Sequence, residues 1–219
     1  MADCDELVKE PNKIKNLTVL ALVPNLKGAE RAIAAGARKL TMPPSASRTH
    51  GLNNIGKTPE EAIDEVERVC ALRDTLPVKQ RPEVEVGIST AFGCTLEGPV
   101  SEDRVIEMAG LLAKAGADSI GLSDTSGYAN PNQIKRMFRR LRNEIGPEKM
   151  AGAHLHNTRG QGLANVVAAL EEEVTTFDSS LGGLGGCPYA PGATGNIVTE
   201  DLVFMLEAMG LRTGIDIEA

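Results

Sequence analysis

Two histidines stand two residues apart in His154-Leu155-His156, and a third, His50, lies far upstream. On a strand, residues i and i+2 point to the same side. A strand over 151–156 therefore presents both imidazoles on one face, close enough to hold one divalent ion. A core histidine is commonly just a satisfied polar group, but a pair at a strand end points to metal chemistry. Two imidazoles are an incomplete ligand set. A hard, oxygen-seeking ion also wants a carboxylate, for which Asp124, Asp178, Glu200 and Asp201 are the local candidates.

The second chemical feature begins 26 residues after His156, in the run 182–196: Gly-Gly-Leu-Gly-Gly-Cys-Pro-Tyr-Ala-Pro-Gly-Ala-Thr-Gly-Asn. It carries one thiol, Cys187, and ends on an amide oxygen donor, Asn196. Most free cysteines are small buried hydrophobes. Flanking glycines and Pro188 make burial hard here and hinge motion easy, which suits a mobile catalytic loop. The run is no dinucleotide fingerprint, because Pro188 falls where the third glycine belongs, and it lacks the Lys-Ser/Thr of a P-loop. Asp124-Thr125 reads equally as a ligand-orienting pair or as a helix cap. Lys135, Arg136, Arg139, Arg140 and Arg142 spread around a helix and read as a solvated outer face.

Bulk properties narrow the partners. The 219 residues are 42% hydrophobic, enough for a core, and carry a net charge of −7 with no Trp, two Tyr and four Phe. That balance argues against nucleic acid, which wants basic patches and stacking platforms. No apolar run approaches the length of a membrane span. Cys4, Cys70, Cys94 and Cys187 are widely spaced, which fits free thiols in a reducing compartment. The opening residues show no signal or transit pattern, so a cytoplasmic location is expected, with the mitochondrial matrix open if a transit segment precedes them.

Elements must place these groups. Short apolar runs at 17–23, 38–42, 84–90, 119–122, 151–156 and 175–179 predict six strands. Helices separate them. Thr58-Pro59-Glu60-Glu61 is a capping box with proline in the first turn, opening a helix to about Arg73. Ser101 and Asn130-Pro131 cap two more, and 160–172 and 199–209 read as helices. Repeated βα units imply parallel strands, either in an open doubly wound sheet or in a (β/α)₈ barrel. Polar residues just past nearly every strand favour the barrel, although only six strands are counted. The expectation is one domain over 1–219, an incomplete α/β TIM barrel of about six βα units.

The segments 154–165 (His-Leu-His-Asn-Thr-Arg-Gly-Gln-Gly-Leu-Ala-Asn), 178–196 with its Gly-Gly-Cys-Pro-Tyr-Ala core, 24–28 (Pro-Asn-Leu-Lys-Gly) and 93–98 (Gly-Cys-Thr-Leu-Glu-Gly) resemble the hydroxymethylglutaryl-CoA lyase family. The likeness extends over essentially the whole chain. It implies a metal-dependent (β/α)₈ barrel that cleaves 3-hydroxy-3-methylglutaryl-CoA to acetyl-CoA and acetoacetate. It implies His154, His156 and Asn196 as ligands of Mg²⁺ or Mn²⁺, Cys187 as the catalytic thiol with His154 beside the reacting hydroxyl, and Asp124 and Asn54 in the substrate pocket. An acyl-CoA substrate follows, with no nucleic-acid or membrane partner, and a homo-oligomer is compatible. The family opens on a strand with an Arg-Asp-Gly-Leu-Gln motif that this chain does not contain. On that likeness the six strands are strands three to eight, and a C-terminal extension is missing. Three alternatives stand beside the lyase: a lyase of a related hydroxyacyl-CoA, a Claisen-type acyl-CoA synthase, and an inactive truncated product.

Overall fold

The computed structural model describes residues 4–217. Six strands lie side by side in sequence order: β1 (Leu20–Leu22), β2 (Lys39–Met42), β3 (Glu83–Ile88), β4 (Ser119–Asp124), β5 (Met150–Leu155) and β6 (Phe177–Asp178). Every neighbouring pair is parallel. Each strand returns through a helix, as parallel pairing demands. The result is part of a (β/α)₈ barrel with β1 and β6 at its two edges, as the βα count predicts. Among the described residues no helix is long and apolar enough to cross a membrane.

The helices are α1 (Cys4–Lys9), α2 (Leu26–Ala34), α3 (Arg48–Ile55), α4 (Pro59–Asp74), α5 (Glu102–Lys114), α6 (Pro131–Ile145), α7 (Gly162–Leu170) and α8 (Thr199–Ala208). The expected punctuation is present. Thr58 and Glu61 close a reciprocal capping box on α4, and Ser101 and Asn130 accept from Arg104 N and Gln133 N to cap α5 and α6. The basic residues of α6 do face outward, but they are paired. Arg136 and Arg140 reach Glu102 of α5, and Arg139 reaches Glu172 beyond α7.

Strand periodicity divides the sheet into two unlike faces. One set of alternate residues, Leu40, Val84, Val86, Ile88, Ile120, Leu122 and Leu155, lies at 0–1% exposure beneath the helices. Burying each such side chain stabilises the fold by about 1.5–3 kcal/mol. The other set forms the concave face and is mostly small or polar: Thr41, Glu85, Gly87, Gly121, Ser123, Gly152, His154, Thr176 and Asp178 line one cleft, with Leu20 and Leu22 at the β1 edge. Two glycines of this face are required by close approach. A Cβ on Gly121 would lie 2.3 Å from the Gly152 carbonyl oxygen, and one on Gly152 would lie 2.6 Å from that of Thr176.

The strand ends differ slightly from the sequence reading. Strand β6 has two residues where five were expected, because the chain turns away after Asp178 and Ser180 bridges to Val198 instead. That departure starts the loop that carries the thiol.

Candidate active site

The concave face encloses a cleft of about 700 Å³. His154, His156, Asn196, Cys187 and Asn54 all line it. The two histidines share this face because of the two-residue period of β5, whose intervening Leu155 points into the core. Asn196 arrives by a different route. Asn157 N donates to Gly195 O at 3.1 Å, Ile197 N donates to Leu155 O at 3.1 Å, and His156 and Asn196 form an antiparallel bridge pair. Cross-strand partners present their side chains on the same face, so the end of the glycine-rich loop is sewn against the end of β5.

Hydrogen bonds behind the rings fix both histidine tautomers. His154 Nδ1 lies 3.1 Å from Asp178 Oδ2, and His156 Nδ1 lies 2.9 Å from the Thr194 carbonyl oxygen. Both partners are acceptors, so each Nδ1 carries a proton, and in the neutral ring Nε2 keeps a bare lone pair. The two Nε2 atoms are 3.2 Å apart. Two lone pairs held face to face repel unless a metal cation or a shared proton sits between them. Burial, then the neighbouring His154, pushes the His156 pKa down to about 4, so it stays neutral as a ligand must. The buried Oδ1 of Asn196 has no hydrogen-bond partner, while its Nδ2 donates to Leu184 O at 3.2 Å. Two imidazole lone pairs and an orphaned amide oxygen fit a divalent cation. No group of three His, Cys, Asp or Glu side chains among the described residues supplies a site by itself.

The carboxylates fall into different roles. Asp178 lines the cleft but sits behind His154, where it orients the ring. Both Glu200 carboxylate oxygens accept from Gly182 N, at 3.1 and 3.2 Å, tying α8 to the start of the loop. Asp124 is placed away from the cleft. It is 1% exposed, and its oxygens accept from Tyr128 N at 2.8 Å and Ala129 N at 3.2 Å. Parity is the reason: Ser123 is in register with His154, whereas Asp124 is in register with the buried Leu155. Ser123 and Thr125 reach the cleft in its place. Asn54, near the C-terminal end of α3, does line the cleft.

Cys187 sits half-buried at the cleft, and burial raises its thiol pKa. Behind it stands a residue to which the sequence reading gives no role. His50 Nε2 is 3.3 Å from Cys187 Sγ, and His50 is 1% exposed. The pair is separated by 137 residues, so no local spacing signals it.

Comparison with known proteins gives the family. The profile of the HMGL-like family matches residues 1–219. A hydroxymethylglutaryl-CoA lyase of Bacillus subtilis is 38% identical over 218 residues, covering 100% of this chain and 71% of the relative. A mitochondrial hydroxymethylglutaryl-CoA lyase of Macaca fascicularis is also 38% identical, and the chain spans 66% of its length. Among solved structures, an HMG-CoA lyase from Acinetobacter baumannii in complex with coenzyme A and 3-methylmalate superposes with a TM-score of 0.90 at 41% identity. It covers 99% of this chain, which spans 69% of that structure. With the whole chain matched by the profile and by relatives of this identity, the protein belongs to the HMGL-like family.

Proposed function

We propose that the chain is the catalytic domain of a carbon–carbon lyase that cleaves 3-hydroxy-3-methylglutaryl-CoA to acetyl-CoA and acetoacetate, with Mg²⁺ or Mn²⁺ held by His154, His156 and Asn196. The observation that carries the reading is the pair of Nε2 atoms, 3.2 Å apart, on the cleft that Cys187 also lines. The cation supplies Lewis-acid acidification of the substrate hydroxyl. Asp178 and the Thr194 carbonyl oxygen hold the two imidazoles in the ligating tautomer. Asn54, Ser123 and Thr125 offer polar groups from the cleft wall to orient the acyl portion.

In cleavage a base takes the hydroxyl proton as the bond between C2 and C3 breaks, and that proton returns to the Cys187 thiolate after turnover. The oxygen-bearing carbon becomes the ketone of acetoacetate, and the electron pair of the broken bond becomes the enolate of acetyl-CoA. That enolate needs a proton on carbon, and Cys187 is the thiol within the cleft that can give one. The flanking glycines let its loop close over the site. The four free cysteines suit a reducing compartment, the cytoplasm or the mitochondrial matrix alike.

The test is acetoacetate release from 3-hydroxy-3-methylglutaryl-CoA, with Mg²⁺ or Mn²⁺ and after chelation. Release that requires metal and is abolished in Cys187→Ala is expected. A folded preparation that cleaves nothing with either metal overturns the reading.

A further inference from the structure

The chemistry behind Cys187 is determined by a chain of buried hydroxyls. Thr90 Oγ1 donates to the Ser89 carbonyl oxygen at 2.7 Å. A hydroxyl has one proton, so Thr90 can only accept from Ser45 Oγ, 2.9 Å away. Ser45 has then spent its own proton, and its oxygen must accept from His50 Nδ1 at 3.0 Å. The imidazole proton is thereby placed on Nδ1, and Nε2 is left as an acceptor 3.3 Å from Cys187 Sγ. The whole chain is out of water: Ser45, Thr90 and His50 are each 1% exposed.

Its base is held in an unfavourable backbone conformation. Thr90 has φ 56°, in the left-handed region that β-branched residues avoid. Such a conformation is strained, and the surroundings must hold it in place. Thr90 N donates to Thr125 Oγ1 at 2.9 Å, and Ser47 N donates to Thr90 Oγ1 at 3.1 Å.

We propose that His50 is the proton acceptor of Cys187, a positioning residue that works through the thiol from outside the cleft. When the couple ionises, the S–H bond breaks, an N–H bond forms on Nε2, and the electron pair stays on sulfur as thiolate beside imidazolium. Net charge is unchanged, which is what a buried site requires. At rest the proton belongs to sulfur, because burial raises the thiol and lowers the imidazole. The charged neighbour acting on His50 is Glu97, which favours the imidazolium, and the titratable neighbour of Cys187 is Cys94. The use of this couple in turnover rests on the lyase reading; the couple itself does not.

The test reads the thiol directly. Alkylation of Cys187 by iodoacetamide is followed from pH 5.5 to 9.5 by mass spectrometry of its peptide, in wild type, His50→Gln and Ser45→Ala. Loss of the acceptor is expected to slow Cys187 alkylation at neutral pH about tenfold or more in His50→Gln, the effect of one unit in thiol pKa, and to move the rise in rate to higher pH. Ser45→Ala, which frees the tautomer without removing the ring, is expected to fall between the two. Far-ultraviolet circular dichroism confirms folding, and Ser45→Ala carries the test if His50→Gln does not fold. Identical pH profiles in wild type and the folded variants overturn the proposal. Because no acyl-CoA is used, this result is independent of lyase activity.

Discussion

Asp124 offers the sharpest test of how the sheet's two faces divide the work. Its carboxyl is 1% exposed, and burial raises its pKa from 3.8 to about 6 against the pull of three backbone N–H groups and Arg159. A folded-state pKa above the unfolded value means that the native state prefers the protonated form. The associated stability is complete below pH 3.8 and is lost as pH rises through about 6. The full effect is about 3 kcal/mol, from about 1.4 kcal/mol per pKa unit. Roughly 0.5 kcal/mol of it has already gone at pH 4, which leaves about 2.5 kcal/mol between pH 4 and pH 8. Asp124→Asn keeps the shape and one acceptor oxygen but does not titrate. The unfolding free energy of wild type minus that of the variant should therefore fall by about 2.5 kcal/mol from pH 4 to pH 8. Urea denaturation of both proteins across that range measures it, and the other titrating groups cancel in the difference. A difference that varies by less than about 1 kcal/mol would show that Asp124 does not sit in this dry position.

Other outcomes follow from the same geometry. Thr58→Ala removes the side-chain half of the capping box on α4 and should cost about 1 kcal/mol in denaturant unfolding. Gly121→Ala drives a Cβ to 2.3 Å from the Gly152 carbonyl oxygen, so the sheet must shift; a cost of about 1–3 kcal/mol or a loss of folded yield is expected, and a neutral variant would contradict the observed spacing. Asp178→Ala frees the His154 ring while leaving its Nε2 intact, and Mn²⁺ titration should show affinity reduced about 10–100-fold.

The parts of the fold legible in the sequence were those written locally. Alternation of short apolar runs with capped amphipathic stretches gave six βα units, and the capping box at Thr58 lies where its spacing put it. The same locality made His154 and His156 readable as a pair. Asp124 shows where reading stopped too early. Ser119, Gly121 and Ser123 alternate with Ile120 and Leu122, so parity alone assigns Asp124 to the apolar side. That signal was present in the residues, but the expected strand ended at Leu122. His50 carries no such signal. Its contact with Cys187 exists because α3 leaves the end of β2 and the glycine-rich loop returns over it, a meeting of segments 137 residues apart.

All three histidines of the chain are built to one rule. Each gives its Nδ1 proton to an oxygen behind it: Ser45 Oγ for His50, Asp178 Oδ2 for His154, the Thr194 carbonyl oxygen for His156. Each neutral ring consequently presents its Nε2 forward, two toward one another in the cleft and one toward the thiol. The three differ in what stands behind them, and that decides how firmly each tautomer is held. A backbone carbonyl and a hydroxyl already committed to another hydrogen bond have no proton to return, so His156 and His50 are locked. Asp178 is 62% exposed on its side chain, so water competes for its bond to His154. Of the two rings at the end of β5, His154 is therefore the less firmly held, and the resemblance places that same ring beside the reacting hydroxyl.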